Sequence, residues 1–405
     1  MIFKISWRNI WRNPMRSFVV MGAIIVGVWS IVFLSSMMYG MIDGYVDNAI
    51  NNEVSHIQIH HKGFPKDKES KFYIEEGEAL LAKCEAIEGV KAVSIRSLTN
   101  AMIASSKSTR GIRVSGVIPN REKEVTGVAS KIIEGEYLSD KGRSPVLVSK
   151  KTAEKLKLKM RSKIVLTFQD LKGNITAGAF RVTGIFETGN NMYDESIVFV
   201  RQQDLNGLLG ENDIGHEVAI ILDDIKNIEE TKTQIITAFP NLFIQSYKEI
   251  APELELFQSQ IKMGSTIYMV IFMLALIFGI INTMLMTVLE RFRELGVLMA
   301  VGMDKGRVFF MIVSETLMLA LIAAPVGLLI AYFTVQHFSK TGVNLFFYSE
   351  DAMKQFGMST FIYPSVDTSL YAQLAVAVGI TALLASLYPA YKAISLKPVE
   401  ALHKI

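Results

Sequence analysis

Four long stretches of the chain are almost wholly apolar: residues 17–42, 263–289, 308–338 and 368–391. Each exceeds the roughly 20 residues that an α-helix needs to cross a bilayer, so each is read as a membrane-spanning helix. The stretch between the first and second, residues 43–261, has a different texture. Alternating or continuous apolar runs at 54–59, 112–118, 146–148, 164–168, 180–186 and 197–200 read as strands. Helical spacing at 75–87, 150–158 and 228–239 falls between them. Strands alternating with helices suffice for an independent core. The expected fold class is therefore an integral membrane α-helical protein with four transmembrane helices and a large extracytoplasmic α/β domain inserted between the first and second. The charged piece 62–71, with Gly63 and Pro65, reads as an exposed loop. Residues 250–262 read as a helix that runs on into the second span, with Pro252 tolerated in its first turn. A continuous helix there would transmit force.

Charge orients these segments. Residues 1–16 carry Lys4, Arg8, Arg12 and Arg16 and no acid. Spacing by four puts all four cations along one helical face, and Trp7 and Trp11 suit the headgroup region, so this is read as an interfacial amphipathic helix. A secretory signal would have a shorter apolar core followed by a small-residue cleavage site, so 17–42 is read as a retained span. The segment 290–307 and the tail 392–405, with Lys392, Lys397 and Lys404, are also rich in cations. By contrast, 339–367 has Lys340 and Lys354 against Glu350, Asp351 and Asp367. The positive-inside rule then puts both termini and 290–307 in the cytoplasm, and 43–261 and 339–367 outside.

The segment 287–303, TVLERFRELGVLMAVGM, is a charged patch between two spans. It reads as a short helix held at the membrane surface, with Val288, Phe292, Leu295 and Met299 on one side. Glu290 and Glu294 share another side at i,i+4, a like-charge pair that costs about 0.2–0.5 kcal/mol in an isolated helix. Two explanations stand. Arg291 and Arg293 relieve the pair within the chain, or the two glutamates are presented to cations on another protein.

Composition narrows the chemistry. Half of the 405 residues are hydrophobic and the mean hydropathy is positive, which calls for membrane segments. A net charge of +3 with no long Lys/Arg block gives no argument for nucleic acid. The single cysteine, Cys84, excludes an internal disulfide framework and reads as an apolar position on an amphipathic helix. No G-x-x-x-x-G-K-[ST] occurs, so any ATP that drives this chain is bound by another subunit. His56, His60 and His61 suggest a metal site, but His56 and His60 read as a solvated strand face opposite Ile57 and Ile59 rather than as ligands. H-E-x-x-H, G-x-S-x-G and CxxC are absent, and no catalytic residue is assigned. Glu315 is the one acid inside a predicted span, and such residues are functional candidates. The favoured reading is a structural pair with Arg291, Arg293 or Arg307. Methionines crowd the first two spans, at Met21, Met37, Met38, Met41, Met263, Met269 and Met273. Their adaptable thioethers suit acyl chains, and helix packing explains them as well.

The run ERFRELGVLMAVGM resembles the E-R-x-x-E-[IL]-G-x-[LM]-x-A-[VLI]-G-x signature between the second and third membrane helices of FtsX/MacB-type ABC permeases. The ending YPAYKAISLKPVEALHKI resembles their Y-P-A-x-x-A-x-x-x-x-P-x-E-A-L. One helix, a large outer domain and three helices is also that family's layout. Within it, VSGVIPNREKEV, IIEGEYLSD, VLVSKKTAEKLKLKMRSKIVL and RVTGIFETGNNMYDESIVFVRQQDLNGLL resemble blocks of the lipoprotein-releasing, LolC/LolE-like branch. Gly184, Gly189, Tyr193 and Asp194 stand in that branch's G-[IT]-F-x-T-G-x-x-x-Y-D run. Arg161, Ser162 and Lys163 depart from the Gly-Asp that the family usually has after the preceding helix.

The resemblance implies a dimeric permease of the bacterial inner membrane, homo- or heteromeric, bound to two cytoplasmic ATPase subunits that carry ATP and Mg. This chain would hold no cofactor and would not be an enzyme. Segment 290–307 would be the coupling helix, engaging the ATPase through Glu290, Arg291, Arg293, Glu294, Leu295, Gly296, Leu298 and Gly302. ATP-driven closure would move the helices and shift the outer domains, a mechanotransmission that extracts cargo from the outer leaflet instead of passing it through a channel. A lipoprotein or lipid cargo would sit between the first and second helices of opposing protomers, against Val28, Ser35, Met38, Met269 and Met273, before transfer to a periplasmic lipoprotein chaperone. Two other outcomes follow from the same family: a MacB-like exporter of peptides, drugs or signal molecules with a periplasmic adaptor, and an FtsX-like signalling module acting on a cell-wall hydrolase.

Overall fold

The computed structural model describes residues 2–139, 142–345, 350–355, 357–365 and 368–395. Lys397, Lys404 and Asp367 lie outside the described residues, as does the end of the predicted tail motif. The chain divides into two compact units. Met1–Ile42, Gln258–Asn344 and Phe361–Ile405 form one, and Asp43–Phe257 with Leu345–Thr360 the other.

The first unit is helical. An amphipathic helix, Ile2–Arg12, precedes the helix Pro14–Ala49, and Pro252–Glu290, Phe292–Ala300, Lys305–Thr341 and Thr368–Ile394 follow later in the chain. Among the described residues, four helices are long and apolar enough to cross a membrane: Pro14–Val54, whose last turn is π-helical, Pro252–Glu290, Lys305–Thr341 and Thr368–Ile394. They overrun the predicted spans because a helix needs only its backbone hydrogen bonds to continue past the point where charges begin. Pro252 opens the second long helix as the first helical residue, where its missing N–H costs nothing. The core is aliphatic. Ile24, Val28 and Ile31 of the first long helix cluster with Val308, Leu319 and Ala323 of the third and Leu374, Ala382 and Ala385 of the fourth. Small residues let helices approach closely where lipid gives no hydrophobic drive between them.

The cations of residues 1–16 do not share one face. Pro14 cannot continue the preceding helix, so the chain breaks at Asn13 and Arg16 belongs to the next helix. Nor is Ile2–Arg12 merely interfacial. Ser6 and Ile10 are fully buried, and the Ser6 hydroxyl donates to the Met311 carbonyl at 3.0 Å and lies 2.7 Å from the Ser314 hydroxyl. Its other face leaves Phe3, Trp7 and Trp11 exposed, a composition suited to a headgroup layer.

The second unit is built on a mixed sheet. Its strands are β1 (Ile57–His61), β3 (Val90–Ala104), β4 (Thr109–Val117), β5 (Ile132–Gly135), β6 (Pro145–Ser149), β7 (Lys163–Gln169), β8 (Ile175–Phe186), β9 (Ile197–Arg201), β11 (Glu217–Leu222) and β12 (Leu242–Ser246), while β2 (Ile74–Glu75) pairs with β10 (Ile214–Gly215) apart from it. The order is β12-β1-β11-β3-β4-β9-β6-β8-β5, with β7 pairing β3 and β8. Pairing is antiparallel except at β4/β9 and β6/β8. The expected fold class is the observed one.

Local readings change in four places. Residues 54–59 are not one strand, because Ile50–Val54 is helical and β1 starts at Ile57. Segment 62–71 contains a short helix, Phe64–Asp67, whose Phe64 is buried and stacked on His60 at 5.4 Å between centroids. The histidine face of β1 is not solvated. His60 is buried, with Nδ1 2.9 Å from the His216 carbonyl and Nε2 3.0 Å from Gln58 Oε1, because Phe64 stacks on its ring. At the departure from the family pattern, Arg161 has φ 64°, a left-handed turn that costs a non-glycine residue about 1 kcal/mol. Cys84 is buried beside Leu80 and Leu81, and burial pushes its thiol up to about 12.

Candidate functional site: a charged seam at Phe292–Ala300

The second long helix stops at Glu290. Arg291, at φ −93° and ψ 16°, leaves helical geometry, and the chain restarts as Phe292–Ala300. Glu290 and Glu294 therefore do not lie on one face of one helix, and the predicted like-charge repulsion is replaced by separate pairings. Arg16 pairs with Glu290 and Arg12 with Glu294. Arg291 joins the rest: its Nε is 3.3 Å from Glu294 and its Nη1 is 3.2 Å from Glu315 Oε2 and 3.4 Å from Oε1. Arg291 and Glu315 are nearly buried, with 12% and 7% of their side chains exposed. One connected seam thus ties the amphipathic helix, the short helix and the third long helix together, and Glu315 is an anchor within it. Of the three arginines considered for Glu315, Arg291 is the one in contact.

The remaining coupling candidates divide by face. Leu295 and Gly296 are buried and Leu298 is half-buried, so they hold the short helix against its own unit. Arg293, Val297 and Val301 point outward at i, i+4, i+8 spacing, and Val297 and Val301 are 48% and 84% exposed. These two valines were not singled out in the sequence; their spacing opposite Leu295 was the available signal of exposure. Gly302, with φ 102°, closes the turn into Asp304, whose carboxylate caps the next helix at the Gly306 N–H at 3.0 Å.

The residues expected to contact cargo sit mostly inside the helical unit. Val28 is fully buried, the Ser265 hydroxyl donates to the buried Ser35 hydroxyl at 3.1 Å, and Met273 Sδ accepts from Thr381 at 3.2 Å. Met38 and Met269 are half-buried. They pack helix on helix; the exposed apolar positions of the same two helices include Val26, Leu34, Ile267 and Ile271.

The comparisons with known proteins cover both units. The model described as FtsX-like permease C-terminal matches residues 266–398, and the MacB-like periplasmic core domain matches residues 17–238. The chain belongs to the FtsX/MacB-type ABC permease family. An uncharacterized ABC transporter permease of Methanocaldococcus jannaschii is 25% identical over 347 residues, covering 81% of this chain and 82% of the relative. The lipoprotein-releasing system transmembrane protein LolC of Xylella fastidiosa is 22% identical over 303 residues, 71% of each chain. The macrolide export ATP-binding/permease protein MacB of Nitrobacter winogradskyi is 27% identical over 234 residues, and this chain spans 33% of its length. An FtsX/MacB-type permease works with an ATPase partner, and its membrane helices with a MacB-like periplasmic domain fit an inner-membrane protein.

The permease's 184–194 run is a structural clamp in the outer unit. A Cβ on Gly184 would lie 2.5 Å from the Glu136 carbonyl, and Gly189 takes φ 90°. Asn190 caps the helix Asn191–Ser196. Within that helix, the buried Tyr193 hydroxyl donates to the Asn52 carbonyl at 2.7 Å. Asp194 accepts from the Thr188 hydroxyl at 2.7 Å and the Thr188 N–H at 3.1 Å. Burial outweighs these bonds and pushes the Asp194 carboxyl up to about 6.

Proposed function

We propose that this permease extracts lipoproteins from the outer leaflet of the inner membrane for transfer to the outer membrane, driven by two cytoplasmic ATPase subunits that bind ATP and Mg. The observation that carries the reading is the similarity to LolC along 71% of each chain, added to the outer-domain blocks that resemble the lipoprotein-releasing branch. In this reading the short helix Phe292–Ala300 is the ATPase contact, through Arg293, Val297 and Val301, and the seam behind it passes the push to the third long helix. Pro252–Glu290 is one unbroken helix and serves as a lever. A second permease copy or paralogue completes the cargo cleft, and a periplasmic chaperone takes the lipoprotein. The contact positions shift from the buried Val28 and Ser35 to the exposed Leu34, Ile267 and Ile271.

Depletion should leave lipoproteins in the inner membrane. Normal outer-membrane sorting in a clean deletion strain lacking a paralogue would sink the proposal. Photo-crosslinkers at Leu34 and Ile271 should capture acylated protein, and capture of bulk phospholipid alone would count against lipoprotein cargo. A second reading, a MacB-like exporter of peptides, drugs or signal molecules with a periplasmic adaptor, is favoured by the match to the MacB-like periplasmic core domain. It predicts altered drug sensitivity and intact lipoprotein sorting in the same strain.

A further inference from the structure

The outer unit encloses a cavity of 480 Å³ over one face of its sheet, walled by the segments Tyr45–Val54 and Ile250–Leu254. Its volume falls within the roughly 300–1,000 Å³ typical of small-molecule sites. Two arginines on neighbouring strands line it and are treated very differently. Arg96 is buried and held by two carboxylates: its Nη1 donates to Glu217 at 2.6 Å, its Nε to Glu122 at 3.0 Å, and its Nη2, which makes no hydrogen bond, lies 2.8 Å from Glu122 as an ion pair. Arg113 is left open. It is one-third exposed, and its ion pair with Glu53 spans 3.8 Å, too long for a hydrogen bond.

Two residues along β4 from Arg113, and so on the same face, the Ser115 hydroxyl lines the same cavity. Ser115 is 1% exposed, and among the described residues its hydroxyl has no hydrogen-bond partner. A buried hydroxyl without a partner costs on the order of 1–3 kcal/mol, so this one is an unfilled donor beside an underused guanidinium. Glu53 and Glu253 line the same cavity. Burial raises the Glu53 carboxyl, Arg113 opposes that, and the nearby Glu253 raises it further. Leu98 and Phe199 supply an apolar surface in the same cavity. A chain that needed only neutrality would close the Arg113–Glu53 pair as it closes Arg96–Glu122. Here cation and anion line one space and meet only as a loose ion pair at 3.8 Å.

We propose that this cavity binds a small zwitterion, an α-amino acid with an apolar side chain. The carboxylate is received by Arg113 and Ser115, the ammonium by Glu53 and Glu253, and the side chain lies over Leu98 and Phe199. The occupant ties the sheet to Tyr45–Val54 and Ile250–Leu254, so binding stiffens the outer unit. The site is independent of the cargo question.

The test is calorimetric titration of the full-length chain in detergent with L-phenylalanine and L-leucine, alongside N-acetyl-phenylalanine and phenylalaninamide. Saturable binding of the amino acids is expected, with each blocked analogue weaker by about tenfold or more. Arg113→Gln and Glu53→Gln should each weaken binding by about tenfold, and Ser115→Ala by about threefold with an unfolding midpoint that is not lowered. Ser115→Ala removes a group that has no partner in the protein, so it keeps the test sound if Arg113→Gln fails to fold. Absence of binding by both amino acids up to about 10 mM would mean a water-filled cavity and overturn the proposal. So would an N-acetyl analogue that binds as well as its parent, or binding untouched by Ser115→Ala.

Discussion

Breaking the Arg291–Glu315 pair should loosen the helical unit from within. The two side chains are nearly out of solvent and meet at 3.2 and 3.4 Å. Removing one member of such a pair leaves an uncompensated buried charge, which costs about 3–5 kcal/mol. The two single variants should differ. In Glu315→Leu, Arg291 keeps Glu294 at 3.3 Å, and that carboxylate is 42% exposed, so the loss falls near the lower end, about 3 kcal/mol. In Arg291→Met, Glu315 loses the arginine that faces it, and the loss falls near the upper end, about 5 kcal/mol. Removing both charges together exchanges the pair for apolar packing of similar volume, which is often neutral or stabilising. The double variant should therefore recover most of the loss, giving a coupling energy of about 3 kcal/mol or more. The assay is unfolding of the purified chain by SDS titration in mixed micelles, for the wild type, both singles and the double. Single losses below about 1 kcal/mol, or effects that add within about 0.5 kcal/mol, would refute the claim that this pair holds the seam together.

Val297→Asp and Val301→Asp, at exposed positions, should cut stimulated ATPase turnover in the reconstituted complex by about tenfold or more while SDS unfolding stays unchanged, since apolar anchors at an interface lose about 1–2 kcal/mol when made charged. Gly40→Ala should destabilise the chain by about 1–3 kcal/mol in the same titration, because the added Cβ would stand 2.1 Å from the Tyr363 carbonyl oxygen. Asp194 gives a pH dependence in the outer unit. Its folded carboxyl titrates at about 6 against 3.8 when unfolded, so the folded state binds more protons between those values and stability falls as pH rises from about 4 to about 6, by about 2–3 kcal/mol. Asp194→Asn should flatten that window in thermal unfolding followed by near-UV circular dichroism; an unchanged slope would show that another group titrates there.

The membrane layout was legible because uncharged runs of that length have one common use, and their number and order come directly from the sequence. The outer sheet was read less completely. β3, the longest strand at 15 residues, escaped notice because Ser94, Arg96, Ser97 and Thr99 interrupt the apolar pattern. Those polar groups are buried in hydrogen bonds and ion pairs on both faces of the strand, and alternation cannot report a core of that kind. The histidines of β1 were misread for the same reason: a polar face was equated with a wet one, and of the partners that make it dry, Phe64 belongs to a segment read as an exposed loop and His216 comes from a distant position.

The seam shows where sequence spacing stops being informative. Glu290 and Glu294 are four residues apart, and that spacing poses a question only if one helix carries both. The break at Arg291 removes the premise and supplies the answer, since the arginine that ends the helix is also the residue that turns inward to Glu315. Of the two explanations open in the sequence, relief within the chain is what the geometry contains, with Arg12 and Arg16 as partners that no local pattern could indicate, from two successive helices at the start of the chain. The acids then fix the short helix in place, and Val297 and Val301 stay exposed on its outer side. A charge reversal at Glu290 or Glu294 consequently cannot separate lost docking from a broken seam. The valines can, because they are exposed and changing them leaves every ion pair of the seam in place.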